Sequence, residues 1–166
     1  FAGTWYIENG DISISAGESG NDVTQNGETT KNDTDTVITN RDTSTASSNT
    51  VTIDADEGKT VNVTLDNVTI NVDEGYEHGY DPNAYKTAVS VTGSGNTNIE
   101  LNGNNTLTSG YGHAGLEHNK TDDSGTLTIQ DEKNDDGSAK GSASDTTGSL
   151  TATGGYPVSY THLTLP

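Results

Sequence analysis

Val61-Asn62-Val63-Thr64-Leu65-Asp66-Asn67-Val68-Thr69-Ile70-Asn71 is the stretch on which the architecture turns. Apolar residues at 61, 63, 65, 68 and 70 alternate with Asn, Thr and Asp. A period of two places one set on one face of a strand and the other set on the opposite face. Asp66-Asn67 breaks the alternation with turn chemistry, so two short strands meet at a corner. The same wording recurs outward from this point. It appears upstream as Val51-Thr52-Ile53 and downstream as Val89-Ser90-Val91, Ile99-Glu100-Leu101, Leu107-Thr108, Leu127-Thr128-Ile129 and Leu150-Thr151-Ala152. Gly, Asn or Asp bounds each run, and no segment carries the 3.6-residue apolar repeat of an amphipathic helix. The chain reads as all-β.

Composition sharpens that reading. Of 166 residues, only 27% are hydrophobic, and the formal net charge is −18 from 7 Lys+Arg against 25 Asp+Glu. Such values usually mark disorder, yet the apolar residues are gathered at alternate positions of repeated strands. Strands of three to five residues recurring every 20–40 residues predict a solenoid, because stacked coils need few inward side chains. The expected fold is therefore a right-handed parallel β-helix over 49–156, as part of a longer truncated protein, with a β-sandwich as the alternative. Residues 1–48 read as irregular N-terminal strands and a long polar loop, an incomplete coil or cap. Trp5-Tyr6-Ile7-Glu8 and Asp11-Ile12-Ser13-Ile14-Ser15 form two strands about Asn9-Gly10, and one weak strand covers Thr36-Val37-Ile38-Thr39.

The acidic balance argues against direct contact with nucleic acid or anionic lipid. No apolar run reaches the length of a membrane-spanning helix. The absence of Cys excludes disulfides, thiol catalysis and thiolate zinc sites. After Asp145 no charged residue of the Asp, Glu, Lys or Arg type occurs, and residues 157–166 abandon the Thr/Asn/Gly texture. That tail resembles translated sequencing-adapter read-through and is expected to be non-native.

The combination of 61–71, 97–109, Ala114-Gly115-Leu116-Glu117, 125–129 and Gly148-Ser149-Leu150-Thr151-Ala152-Thr153-Gly154-Gly155 resembles the parallel β-helix portions of secreted or wall-attached proteins of Gram-positive bacteria. Some of these are described as carbohydrate-binding and others as adhesin-like. The resemblance implies an extracellular location, secreted or attached to the cell wall. It assigns no residue of this chain a role, since the shared phrases are structural repeats.

Two loops carry the chemistry-bearing residues. Tyr76, His78, Tyr80 and Tyr85 lie in one insert, and Tyr111 and His113 form a smaller cluster 36 residues after Gly75-Tyr76-Glu77. If strands stack at that spacing, the two clusters share one side of the molecule. Exposed tyrosine rings with His nearby suit stacking on sugar C–H faces; the alternative is that the rings fold back and cover the sheet. Asp131, Glu132, Asp135 and Asp136 form an acidic loop before Gly137, with hard oxygen ligands suited to Ca²⁺. The EF-hand register fails, because position twelve counted from Glu132 is Ala143. The other reading of this loop is a solvated acidic turn.

Catalysis is not expected. Arg41 is the single Arg, the Lys residues are scattered, no carboxylate pair stands at a diagnostic spacing, and His78, His113 and His118 show no HExxH pattern. The expected function is a non-catalytic extracellular surface module that binds a polysaccharide or host glycan, or mediates adhesion. The alternatives are a purely structural stalk and a fragment of a polysaccharide lyase or hydrolase.

Overall fold

A computed structural model describes residues 1–79, 81–119, 121, 123–132, 148–155 and 163–165; for Pro82 and for 163–165 it describes the backbone alone. Fourteen strands follow in order: β1 (Thr4–Tyr6), β2 (Ile12–Ala16), β3 (Asn21–Gln25), β4 (Glu28–Asp33), β5 (Thr36–Thr39), β6 (Val51–Asp54), β7 (Thr60–Asp66), β8 (Thr69–Asn71), β9 (Val89–Thr92), β10 (Asn96–Thr108), β11 (Leu116–Glu117), β12 (Leu127–Asp131), β13 (Gly148–Thr153) and β14 (Leu163–Leu165). Short 3₁₀ turns occupy Ile7–Asn9 and Pro82–Ala84.

The strands form two sheets. One contains eight strands in the path β1-β5-β7-β10-β13-β14, with β8 and β12 also paired to β10; the other runs β11-β9-β6-β2-β3-β4. The first is parallel as far as its antiparallel β14 edge. The second is mixed, parallel from β11 to β2 and antiparallel through β3 and β4. This corrects the expectation of a right-handed parallel β-helix. Among the described residues there is no closed solenoid, and two sheets over one core match the β-sandwich alternative better. One physical reason lies at β2: its outer edge is taken by an antiparallel hairpin, not by a further parallel strand. Another is β10, which runs for 13 residues and belongs to two ladders.

Alternation nevertheless decides burial strand by strand. In β6, Val51 and Ile53 face in; in β7, Val61, Val63 and Leu65 do so; in β9, Val89 and Val91. These residues, with Ile12, Ile14, Ile38, Ile99, Leu107 and Leu150, make one buried cluster drawn from both sheets. Each fully buried side chain of this size contributes about 1.5–3 kcal/mol. Val63-Thr64-Leu65 and Ile99-Glu100-Leu101, similar in wording and 36 residues apart, stand in register: Val63 pairs with Ile99 and Leu65 with Leu101. The next two strands do not stack one on the other. Ile99 pairs with Ile129, whereas Leu150 pairs with Asn105 and not with the strand that holds Leu127.

Corners of β7–β8 and of β10 explain that split. Asn67 adopts φ 51° and Gly103 φ 67°, a left-handed conformation that Asn and Gly tolerate best. The two stack so closely that a Cβ on Gly103 would lie 2.2 Å from Asn67 Oδ1. Past the corner, Asn105 is 1% exposed. Its Oδ1 accepts from Val68 N–H at 2.8 Å, and its Nδ2 donates to the carbonyls of Asn102 and Ser149, both at 3.2 Å. One amide therefore ties β10 to the segments on either side. Thr97 shows the opposite condition: its Oγ1 is buried with no hydrogen-bond partner.

The N-terminal 48 residues hold more strand than their polar sequence suggests. β1 and β2 are present but belong to different sheets, so Asn9-Gly10 is not the turn of a hairpin. The hairpin is instead β3–β4. Its turn is Asn26-Gly27, with φ 55° and 77°, the pairing that a two-residue type I′ turn requires. Asp33 at the end of β4 is 1% exposed and accepts from Gly3 N–H at 2.9 Å and Trp5 Nε1–H at 2.8 Å. The hairpin is thereby strapped to β1.

A second strap responds to acid. Glu8 accepts the backbone N–H groups of Arg41 and Asp42, each at 2.9 Å, and the Arg41 guanidinium lies 3.9 Å from the Tyr6 ring centroid. Partial burial pushes the Glu8 carboxyl up, but those two N–H groups and the Arg41 charge together outweigh it and hold the group below the usual carboxylate range. The Ser44 hydroxyl and N–H and the Thr45 hydroxyl hold Asp42 low in the same way. A depressed carboxylate stabilises the fold above its unfolded pKa, and that contribution is lost as pH falls through the folded value. Thermal melts between pH 6 and pH 3, roughly spanning the carboxylate range, are therefore expected to fall less steeply for Glu8→Gln than for the wild type. Identical slopes would count against the strap.

Candidate functional site

Pairing of β8 with the far half of β10 sets Asn71 opposite Thr108. The loops that leave these two strands consequently run side by side, and their tyrosines meet. In the first loop, Asp73 Oδ1 accepts from Gly75 N–H and Asp81 Oδ1 from Asn83 N–H, local turns that shape a segment poor in apolar residues. In the second, Gly110 donates to Lys86 O at 2.8 Å, and His113 N–H closes a turn on Gly110 O.

Tyr111 sits between two rings of the first loop. Its centroid is 4.9 Å from that of Tyr76 and 5.1 Å from that of Tyr85, both tilted arrangements typical of packed aromatic pairs. His78 meets the Tyr85 ring edge-on at 5.7 Å. Burial separates the three tyrosines: Tyr85 is 7% exposed, Tyr111 6%, and Tyr76 47%. The Tyr85 hydroxyl accepts from His78 N–H at 2.9 Å and donates to Gly79 O at 3.0 Å. Those two bonds close the loop on its own ring. Tyr80 lies outside the described residues.

His113 belongs to the same side of the molecule. Its Nδ1 is 2.9 Å from Glu117 Oε2, which also accepts from the Thr87 hydroxyl at 2.8 Å. Asn119 Nδ2 lies 3.3 Å from the other oxygen, Oε1. Glu117 is thus a junction joining three segments, and Thr87 and Glu117 were not identified from the sequence as site residues. The spacing of four between His113 and Glu117 was visible, but it signals a contact only once the turn between them is known. His78 Nε2 stands 3.8 Å from Glu74 in a pair exposed to solvent, of small energetic weight.

The acidic loop does not come together in the same way. Asp131 ends β12, its Oδ1 accepting from Glu132 N–H at 2.9 Å. Asp135 and Asp136 lie outside the described residues. Among the described residues, no three His, Cys, Asp or Glu side chains converge as a metal site, so no ligand set for Ca²⁺ can be drawn.

Two shallow clefts lie elsewhere on the described surface. One of about 350 Å³ lies beside the β3–β4 hairpin, lined in part by Glu18, Asn21, Asp33, Lys59 and Asn62. Asn21 Nδ2 stitches its floor, donating to Asn62 O at 2.7 Å and lying 3.0 Å from Thr36 Oγ1. The other, of about 330 Å³, contains His118, Ser94, Asn119 and Asp123. The His118 ring reaches Val91 O at 3.1 Å and Gly125 O at 3.2 Å, fastening its loop to the sheet. Among the described residues, no helix is long and apolar enough to cross a membrane. No protein-family model, curated protein or solved structure matches the chain.

Proposed function

We propose that this chain is a non-catalytic structural module of an extracellular bacterial protein, a stiff β spacer that sets other parts of that protein apart. The observation that carries the reading is the state of the aromatic loops. Tyr85 and Tyr111 are buried against each other, and the Tyr85 hydroxyl is engaged by its own loop, so these two rings pack their loops together and do not form an open platform. The Glu117 carboxylate, the natural partner of His113, also holds Thr87, which suits a structural junction. The extracellular placement rests on the sequence resemblance.

Tyr76 favours a second reading, a weak carbohydrate-binding or adhesive face. It is 47% exposed and packs on Tyr111, so part of one aromatic ring faces solvent. Affinity electrophoresis through gels containing neutral or acidic polysaccharides, with and without Ca²⁺, separates the two. Unretarded migration in every gel is expected. Retardation that disappears in Tyr76→Ala would replace the spacer reading with the glycan-binding one.

A further inference from the structure

The dipeptide Asn-Gly occurs three times, as Asn9-Gly10, Asn26-Gly27 and Asn102-Gly103. A glycine after Asn leaves its backbone nitrogen open to attack the Asn side-chain carbon, Cγ, since no Cβ stands in the way. The fold holds two of these pairs. Gly10 N–H donates to Ile7 O at 3.2 Å, and Gly10 O accepts from Gln25 Nε2 at 2.9 Å. Asn102 and Gly103 lie inside β10, half-buried and paired with Asp66 and Gly148. Asn102 O also accepts from Asn67 N–H at 3.0 Å and Asn105 Nδ2 at 3.2 Å.

Asn26-Gly27 is the exception. Both residues are exposed at the tip of the β3–β4 hairpin, beyond the Gln25–Glu28 pair. Among the described residues, neither the Asn26 side-chain amide nor Gly27 N–H has a hydrogen-bond partner. Asn26 Oδ1 leans toward Gly10, into the space a Cβ there would occupy. A Cβ placed on Gly27 would meet nothing within 4 Å, so this turn rotates without displacing a neighbour.

We propose that Asn26-Gly27 is a site of spontaneous modification, at which Asn26 becomes isoaspartate and the hairpin turn is released. The Gly27 nitrogen gives its proton to hydroxide and bonds to Asn26 Cγ. The Cγ–Nδ2 bond breaks, Nδ2 takes up a proton from water and leaves as ammonia, and a cyclic succinimide remains. Water then opens the ring. Breaking the bond from the Gly27 nitrogen to Cγ yields Asp; breaking its bond to the main-chain carbonyl carbon yields isoaspartate, whose backbone runs through Cβ and Cγ. The two products act differently on the turn. Asn26 and Gly27 have φ 55° and 77°, and Asp tolerates that left-handed conformation much as Asn does. Isoaspartate adds a backbone carbon to a two-residue turn that has no room for it. The contacts beside the turn then loosen: the Thr24–Thr29 hydroxyl pair at 2.7 Å, and the Gln25 amide on Tyr6 O and Gly10 O. The modification goes beyond the spacer reading and does not depend on it.

Ageing the full chain at mildly alkaline pH and mapping its peptides by mass spectrometry tests the proposal. Conversion at Asn26 is expected to run about tenfold ahead of Asn9 and Asn102, because the held pairs must first open locally. In urea the three are expected to convert at matching rates, which separates the fold's contribution from that of the dipeptide. Each event adds one negative charge to a chain carrying −18, so the aged species should separate on anion exchange, and its isoaspartyl fraction should accept a methyl group from an isoaspartyl methyltransferase. That fraction is expected to melt below the wild type, whereas Asn26→Asp keeps the wild-type melting temperature. Asn26→Gly preserves a residue suited to the turn and is expected to abolish the early acidic species. Equal conversion of the three sites in the folded chain overturns the proposal, as does an early acidic species that persists in Asn26→Gly. An isoaspartyl fraction that melts with the wild type overturns the release of the hairpin.

Discussion

Asn105→Ala is expected to lower the unfolding free energy by about 3 kcal/mol, one of the largest effects of any polar substitution in this chain. The side chain is 1% exposed and joins three backbone groups: Val68 N–H, Asn102 C=O and Ser149 C=O. Ala takes the acceptor from Val68 N–H where water enters poorly, while Asn102 C=O keeps the Asn67 N–H. A buried orphan costs about 1–3 kcal/mol, and the vacated volume adds a cavity cost. Asn105→Asp offers a second control, since a carboxylate still accepts from Val68 but sets its other oxygen against the two carbonyls. Urea unfolding followed by circular dichroism should rank wild type above both variants. A loss below about 1 kcal/mol for Ala would mean that the corner holds without its amide.

Asp33→Ala should cost a similar amount, about 3 kcal/mol, by a different route. Its carboxylate receives Gly3 N–H and Trp5 Nε1–H, and at 3.2 Å Asp35 N–H. Hydrogen bonds to a charged acceptor contribute about 1.5–3 kcal/mol each, and those lost here are partly replaced by water. The readout is specific, because Trp5 is the single tryptophan. Its indole is half-buried against the core, so releasing it should shift the fluorescence to the red before global unfolding. An unshifted native spectrum together with an unchanged midpoint would remove Asp33 as the strap of the N-terminal hairpin.

These two residues also mark where reading the sequence succeeds and where it stops. Alternation in 61–71 identifies inward residues correctly, because burial of one strand face is a local consequence of period two. Asn105 interrupts that logic: a polar residue at an inward position looks like an outward one until its three partners are in place. Asp33 lies in a run, Glu28–Asp33, whose composition reads as loop. It becomes a strand through the Asn26-Gly27 turn and through pairing with β3, and the turn signal was present in the sequence. The tyrosine loops divide similarly. Their meeting follows from the near-36-residue spacing, while the burial of Tyr85 and Tyr111 depends on how the loops fold back.

The sequence by itself determined the all-β class, most of the inward residues and the pairing of Val63 with Ile99, since these follow from alternation and from repeated wording. The tertiary structure decided how the strands are shared between sheets. Strand pairing uses backbone groups that are the same in every residue, so composition cannot tell Leu150 to pair with Asn105 or β2 to accept an antiparallel hairpin. Closure of the N-terminal end by Asp33, which joins Gly3 and Trp5 to the β3–β4 hairpin, arises only when residues far apart in the chain are brought to the same edge.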